Sequence, residues 1–529
     1  MRHSASDDLV ALAIERYDLA RSEDGDPFAV DRLGPNVAQT LRGGRASLRA
    51  SLAASYAERF DKVPPAQALV DALAVLEGRA LERPRQRLVL RTTRVGDESI
   101  VIDVGDEAGS AILVEPDGWR ILGRSPVTFR RSELIAALPA PSAGSVSDLL
   151  DLLNIERRDA PLVLAYLVAA LLGLPVPIMF LRGPAGSAKT SAARTLARTI
   201  DPSPAPVRSV PKDPESWAVT ASGSYVVAID NILTVQTWLC DALCRAVTGE
   251  GYLRRSLYTD SAISVIAFRR AIILTGIDPG AMRGDLADRL VAIDLSEISD
   301  QDRREDADVE AAFRKAHPAI LAAILDLTAS VLRTMPGIRM ESRPRMADYG
   351  RVLATVDALL GTSGLDRYLA QRADLQREAA DGDRVGSAVI AWMDIQPEWS
   401  GTSKQLLEAI TPEPRPRDWP TTPRGLSGAL RHVAQPLRAA GIRVSFARAG
   451  HERTRTIHLE HIRAQPSAPS AGYAGTLDRA DDADRADGGN PVVPWRDVVA
   501  PTDGRGGLDS VDLLMAEPNL PHPDDWETV

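Results

Sequence analysis

One stretch near the middle of this 529-residue chain constrains it more than any other. An apolar run, Ile178-Met179-Phe180-Leu181, leads into Arg182-Gly183-Pro184-Ala185-Gly186-Ser187-Ala188-Lys189-Thr190, and the helix-forming SAARTLARTID follows. A strand feeding a glycine-containing loop that opens a helix at a lysine is the context of a phosphate-binding loop, the P-loop. Backbone N–H groups of residues 186–190 can wrap phosphates there, helped by the positive end of the helix. On this reading Gly183, Pro184, Ala185, Gly186, Ser187, Ala188, Lys189 and Thr190 bind the nucleotide. Lys189 bridges the β- and γ-phosphates of ATP, and the Thr190 hydroxyl holds Mg²⁺. Ala188 stands where the usual pattern has glycine; its methyl is tolerable if φ is negative, as expected at a helix start. Of the 62 basic residues only Lys62, Lys189, Lys212, Lys315 and Lys404 are lysines. Lysine kept against an arginine-rich background suits a position that needs a compact point charge.

Such a loop needs a carboxylate on a neighbouring strand. Tyr225-Val-Val-Ala-Ile-Asp230 supplies it, 40 residues beyond Thr190. Four apolar residues read as a buried parallel strand, with Asp230 emerging at the C-terminal end, where ligands bind in such sheets. Asp230 is placed to position Mg²⁺ through its water shell. The next residue, Asn231, carries an amide, which cannot take a proton; Glu250 and Asp260 are alternative carboxylates. A third strand, Ala271-Ile-Ile-Leu-Thr275, ends in a hydroxyl that could touch the γ-phosphate or the attacking water. Arg289 precedes a fourth apolar strand and is a candidate to reach the nucleotide of a neighbouring subunit, the arginine-finger role. A salt bridge with Asp285 or Asp288 is the plainer alternative.

Composition frames these motifs. At 44% hydrophobic and 25% charged the chain fits a globular protein and excludes collagen-like, disulfide-scaffold and wholly disordered classes. The longest apolar run, Pro161 to Pro175, is shorter than the roughly 20 residues of a membrane-spanning helix and reads as a buried core helix. No membrane partner is expected. The N-terminus carries no secretory pattern. Cys240 and Cys244, one helical turn apart, suit neither a disulfide framework nor a four-ligand zinc site, so a cytoplasmic location is expected.

The chain divides by pattern. Residues 1–136 read as an N-terminal α+β domain of no assignable role: helices over Asp8–Ser22 and Arg45–Phe60, then a small antiparallel sheet over 87–130. Residues 145–300 hold helices at 148–156 and 160–173 and then alternate strands with helices, the mark of an α/β parallel sheet covered on both faces. Residues 301–380 read as a helical lid or bundle. Residues 384–462 read as helices followed by a hairpin, the order of a winged helix. The tail, 463–529, has 13 acidic and five basic residues, net −8 of the chain's −10, and reads as disordered.

Residues 180–296 resemble the superfamily 3 branch of AAA+ helicases found in phage and plasmid primase–helicases. Besides the loop and Asp230, the resemblance rests on Val247-Thr-Gly-Glu-Gly-Tyr-Leu-Arg254-Arg255-Ser-Leu-Tyr258, which is similar to the family's segment of paired glycines, basic residue and Leu-Tyr. The resemblance implies a hairpin lining the central pore of a ring, a hexamer in that family. There Arg254 and Arg255 would contact DNA phosphates and Tyr258 would stack or pack. It also places Arg289 at the family's arginine-finger position. Thr275 replaces the family's third-strand asparagine, and Asn231 its second acidic residue. The arginine-rich layout also looks like actinobacterial ATP-binding proteins of integrative elements and prophages.

Toward the C-terminus, 401–412 reads as one helix, with Ser403 ahead of KQLLEAI. A second helix or bent pair runs from an N-cap at Thr422 to a stop at Gly441. Between 414 and 455 nine arginines (415, 417, 424, 431, 438, 443, 448, 453, 455) face only Asp418 and Glu452, a surplus of +7. Such a surplus on a recognition helix and wing is the footprint of nucleic-acid binding, with Arg424, Arg431, Arg438, Arg448, Arg453 and Arg455 as DNA contacts. His451, His458 and His461 lack the companions of a metal site. Together the motifs point to a Mg-ATP-dependent, DNA-acting ATPase, a helicase or replication protein of a mobile element. The alternative is a nucleotide-switched DNA-binding initiator or regulator that hydrolyses little.

Overall fold

The computed structural model describes residues 4–42, 47–250, 252–255, 263–266, 268–277, 284–417, 419–449 and 454–462, with backbone alone at 252–255, 263–266, 448–449 and 454. It is a mixed α/β fold. The chain opens with α1 (Ala5–Arg16), where Ser4 and Asp7 exchange hydrogen bonds in a capping box. β1 (Tyr17–Ser22), β2 (Pro27–Asp31), β3 (Gln39–Thr40), α2 (Leu48–Phe60), α3 (Ala66–Leu81) and β4 (Arg85–Gln86) come next. The four strands form one sheet in the order β3-β2-β1-β4. The expected helix over 8–22 therefore stops at Arg16. Tyr17 and Ala20 fit helical spacing from Leu9 and Ala13, but 17–22 pairs with the fully buried strand PFAVD, and tertiary pairing overrides the local period.

β5 (Thr92–Val95), β6 (Ser99–Asp103), β7 (Ala111–Glu115) and β8 (Gly118–Leu122) make the antiparallel sheet expected from the period-2 pattern, in sequential order. The fully buried Arg91 fastens this sheet to the central layer. Its Nε donates to Asp201 Oδ1 (2.8 Å), Nη1 to the Asp103 carbonyl (2.9 Å) and Nη2 to the Ala136 carbonyl (2.9 Å). The other Asp201 oxygen accepts from the N–H groups of Tyr225 and Val226, both at 2.9 Å.

The central layer begins with α4 (Val146–Leu150), shorter than the expected 148–156 helix, a 3-10 turn at 157–159 and α5 (Ala160–Leu171), every residue of which is buried. Then come β9 (Ile178–Arg182), α6 (Lys189–Ile200), β10 (Val207–Arg208), α7 (Pro214–Gly223), β11 (Val226–Ile229), α8 (Thr237–Thr248), β12 (Tyr252–Arg255), β13 (Ile263–Ile266), β14 (Ala271–Gly276), α9 (Gly284–Ala287) and β15 (Leu290–Asp294). β12 and β13 form a separate antiparallel hairpin. The others make a five-stranded parallel sheet in the order β10-β11-β14-β9-β15. Alternate residues face opposite cores, as a strand's period of two requires. Met179, Leu181, Val226, Ile273 and Val291 meet α5, α6 and the long helix below, whereas Ile178, Phe180, Val227, Ile272 and Ala292 meet α7, α8 and α9. Cys240 and Cys244 lie buried in α8, where burial pushes the Cys244 thiol up to about 12. β9 is the topological switch point: the chain leaves it for the far edge, returns through β11 and β14, and adds β15 on its other side. Ligands of open α/β sheets bind at the C-terminal ends of strands at such a point.

The helical region comprises α10 (Asp306–Thr334), α11 (Ala347–Leu360) and α12 (Gly364–Gly382). Among the described residues one helix, Asp306–Gly337, is long and apolar enough to cross a membrane, and most of its apolar stretch is buried inside the fold. The last module comprises α13 (Arg384–Met393), β16 (Glu398–Thr402), α14 (Ser403–Ile410), α15 (Pro423–Ala439), β17 (Ile442–Ala449) and β18 (Thr454–His461). The expected hairpin is present, and β16 adds a third strand that the sequence pattern does not announce, in the order β16-β18-β17. Thr402, not Ser403, caps α14, and Thr422 caps α15 as expected.

The Asp201→Ala variant strands Arg91 in the interior. Removing one partner of a buried pair costs about 3–5 kcal/mol, read as a loss of unfolding free energy in urea. A loss of about 1 kcal/mol or less, the size of an exposed pair, would contradict this role.

Candidate functional site

The loop between β9 and α6 is held by close backbone approach. A Cβ on Gly183 would lie 2.3 Å from the Leu295 carbonyl oxygen, so only glycine fits. Gly186 has φ +80. The Ser187 hydroxyl, buried, donates to the Pro184 carbonyl at 2.9 Å. Ala188 corrects the sequence reading: its φ is +61 and ψ 29, in the left-handed region, not the negative φ expected at a helix start. The turn must reverse before α6 can begin, so the position keeps the conformation glycine would favour even though alanine occupies it. A Cβ there costs roughly 1–2 kcal/mol. The Ala188 carbonyl still accepts the first helical bond, from Ala192 N–H at 2.9 Å.

Lys189 folds back over this loop. Its ammonium donates to the carbonyls of Gly183 (2.8 Å) and Pro184 (2.6 Å) and approaches Ser187 Oγ at 3.3 Å. Burial lowers its pKa, and the charge of Asp230 opposes that shift.

Asp230 comes directly after β11 and gathers the ends of three neighbouring elements. Thr190 Oγ1 lies 3.0 Å from both of its carboxylate oxygens. Thr275 Oγ1, at the end of β14, donates to Asp230 Oδ1. The Asn231 N–H, at φ +57, donates to Thr275 Oγ1 at 2.9 Å. Thr275 is buried, its hydroxyl already committed as donor and acceptor. It therefore orients the carboxylate, whereas the sequence reading offered it to the phosphate or the attacking water. The Asn231 side chain is exposed. Thr190 and Asp230 offer hydroxyl and carboxylate oxygens, the donors a hard cation such as Mg²⁺ takes when phosphates and water complete its shell. Among the described residues no group of three or more His, Cys, Asp or Glu could hold a metal by itself. His458 and His461 lie on β18, while His451 is outside the described residues.

Arg289 is not brought to this cluster. β15 runs parallel to β9 with Leu290 opposite Ile178 and Asp294 opposite Arg182. Arg289 thus sits at the N-terminal end of the strands, about 16 Å of strand from the loop. Its Nη1 donates to the Asp285 carbonyl at 2.9 Å and pairs with the Asp285 carboxylate, and its side chain is 9% exposed. Arg345, half-exposed, stands 3.5 Å from Asp285 and 3.8 Å from Asp288. Glu250 lies just beyond α8, exposed; Asp260 is outside the described residues.

Arg254 and Arg255 fall on β12, opposite Ser264 and Ile263. Tyr258 and Arg453 lie outside the described residues. Arg424, Arg431 and Arg438 are all exposed on α15. Their seven-residue spacing puts them on one stripe. The Arg431 guanidinium sits 4.8 Å from the centre of the Phe446 ring on β17. Phe446 pairs with Ile457 in the hairpin, and two residues on Arg448 stands opposite Arg455. By register these two positions lie on the same face of the hairpin as Phe446. Arg443 is bound to Glu460 at 2.7 Å. One residue that sequence reasoning missed is Asn154. Its Nδ2 donates to the carbonyls of Ser187 (3.2 Å) and Ser296 (2.6 Å), clamping the loop from a segment 33 residues upstream, a distance no local motif reports.

The left-handed Ala188 makes a direct prediction. Ala188→Gly leaves stability unchanged or raises it by about 1 kcal/mol, because lost strain is partly offset by glycine's chain entropy. Ala188→Val, β-branched at positive φ, lowers it by about 1–2 kcal/mol. Thermal unfolding of the two variants is the check; a valine variant as stable as the native chain would contradict the assigned geometry.

Among solved structures the chain is similar to the A form apo structure of the NrS-1 C terminal region, at 10% identity over 86% of this chain and 98% of that chain, TM-score 0.38. A second apo structure of the NrS-1 C terminal region is 11% identical over 86% and 99%, TM-score 0.36. JCV Helicase bound to a substituted acetamide is 16% identical over 44% and 64%, TM-score 0.23. No curated protein matches. Residues 146–378 match the family model of the actinomycete integrative conjugative element replication protein, and residues 385–471 match that of the AICE RepA C-terminal domain. From the start of α4 through the last hairpin, then, the chain is similar to the replication proteins of actinomycete integrative conjugative elements.

Proposed function

We propose that this chain is a Mg-ATP-dependent, DNA-acting ATPase serving replication of a mobile element. The observation that carries the reading is the convergence of Thr190 and Thr275 on the Asp230 carboxylate, beside a glycine-bounded loop at the sheet's switch point. The triphosphate lies in the loop formed by Gly183, Pro184, Ala185, Gly186, Ser187 and Ala188, with the N–H groups leading into α6 as donors. Lys189 leaves the carbonyls of Gly183 and Pro184 and takes the β- and γ-phosphate oxygens, a stronger, charge-assisted partner. Thr190 and Asp230 hold Mg²⁺, which when bound neutralises charge on the phosphates. Thr275, fixed by the Asn231 N–H, keeps the carboxylate aimed. Arg289, at the opposite end of the strands, acts on the site of a neighbouring copy in a ring, after release from Asp285.

DNA is engaged at two places in this reading. Arg254 and Arg255 grip phosphates from the β12–β13 hairpin, and Tyr258, between the two strands in sequence, stacks or packs. The module from α13 to β18 acts as a winged helix, with Arg424, Arg431 and Arg438 on α15 and Arg448, Arg453 and Arg455 on or beside the wing. The nucleotide-switch reading is favoured by one feature: Asn231 comes after Asp230, and an amide cannot activate water. Single-turnover hydrolysis of ATP, with and without single-stranded DNA, separates the two.

A motor hydrolyses bound ATP faster when DNA is present, and Lys189→Ala abolishes both binding and turnover. Tight binding without turnover leaves the switch; equal nucleotide binding by wild type and Lys189→Ala would contradict both. For DNA, replacing Arg424, Arg431 and Arg438 together with glutamine should flatten the dependence of log K on log salt by up to about 3, near 0.9 for each duplex phosphate no longer neutralised. An unchanged slope would remove α15 from the interface.

A further inference from the structure

The rim of the 183–190 loop is completed by the segment that leaves β15. Leu295 N–H donates to the Arg182 carbonyl at 2.8 Å, and Ile155 bridges Leu295 beside it. Asn154 then ties Ser296 to Ser187. The chain makes a short turn in which Asp302 N–H donates to the Ser299 carbonyl at 3.1 Å and Ser299 Oγ to Asp302 Oδ2 at 2.6 Å. This turn, ahead of α10, returns Arg303 to the loop. A Cβ built on Gly186 would lie 3.1 Å from Arg303 Nη2, so the guanidinium lies directly against the backbone that Lys189 also covers.

Among the described residues little holds that guanidinium where it is. Its ion pair is a long 3.5 Å approach to Asp300, whose carboxylate is 94% exposed, and Arg303 itself is 57% exposed. An exposed pair of this kind contributes under about 1 kcal/mol. A phosphate offers the planar, bidentate match that guanidinium prefers. Arg289, by contrast, is buried against Asp285 at the opposite end of the strands.

We propose that Arg303 is a phosphate-contacting residue of the nucleotide site, supplied by the same chain, exchanging Asp300 for the anion held at Gly186. This rests on the nucleotide reading of the loop. No sequence motif marks it, because Arg303 lies more than a hundred residues beyond Lys189 and outside every strand and helix. The contact also gives the 295–305 segment a means of sensing an occupied loop and passing that to α10.

The test is equilibrium binding of fluorescent ATP and ADP analogues to the full chain with Mg²⁺, for wild type, Arg303→Ala, Arg303→Lys and Lys189→Ala. Thermal unfolding without nucleotide is recorded in parallel. Arg303→Ala should bind the ATP analogue about tenfold or more weakly at unchanged unfolding temperature, the usual effect of removing a charge-assisted hydrogen bond. Arg303→Lys should recover part of that affinity, keeping the charge without the fork. Wild-type affinity in Arg303→Ala, with binding abolished in Lys189→Ala, would overturn the inference and leave the nucleotide reading standing. Failure of wild type itself to bind, or binding indifferent to Lys189, would overturn both.

Discussion

The Asp230 carboxylate is the point on which the central layer turns. It stands at the end of β11, takes Thr275 from adjacent β14, and reaches Thr190 at the head of the helix after β9. Three elements can converge on one carboxylate only if neighbouring strands run parallel and end flush. Parallel neighbours require crossover connections, here helices on both faces, and the two buried cores take alternate residues of each strand. The buried pair of Arg91 and Asp201 extends the same demand outward. It ties the small antiparallel sheet to the start of β11 through Tyr225 and Val226, so a module with no evident chemistry still braces the strand that carries Asp230.

The two ends of the sheet are distinct in kind. At the C-terminal ends of the strands lie backbone donors, a lysine and hydroxyls around one carboxylate. At the opposite end, Arg289, Arg345 and Arg372 surround Asp285 and Asp288. α9 joins this second cluster to the basic helix. Gln376 Nε2 donates to the Gly284 carbonyl at 2.7 Å, and a Cβ on Gly284 would lie 2.3 Å from Pro436 Cγ of α15. The helix that carries the arginine stripe therefore rests on the segment that leads to Arg289.

The motifs were legible where chemistry is local. The strand, loop and helix from Ile178 to Thr190 read directly, as did the strand ending at Asp230, because one short run of residues carries each pattern. The sequence misled where geometry depends on distant partners. Residues 17–22 keep helical spacing, yet pairing with the buried strand 27–31 makes them extended. Ala188 looked like an ordinary first helical residue, but its φ is positive, in a loop that Leu295 approaches at Gly183 and that turns at Gly186. Asn154 and Arg303 were invisible because nothing near them in sequence records the loop they touch. β16 was missed because Glu398–Thr402, half-exposed at a sheet edge, lacks clear alternation. The arginines of α15 stand out as a run in the sequence, but only the helix shows that 424, 431 and 438 form one line.

The most direct measurement is a structure of the chain with Mg²⁺ and a non-hydrolysable ATP analogue. The account predicts phosphates within hydrogen-bonding reach of the N–H groups at 186–190. The Lys189 ammonium should be transferred from the Gly183 and Pro184 carbonyls to phosphate oxygens, with the cation between Thr190 and Asp230. Nucleotide bound elsewhere, with Lys189 still on those two carbonyls and Thr190 still hydrogen-bonded to Asp230, would contradict it.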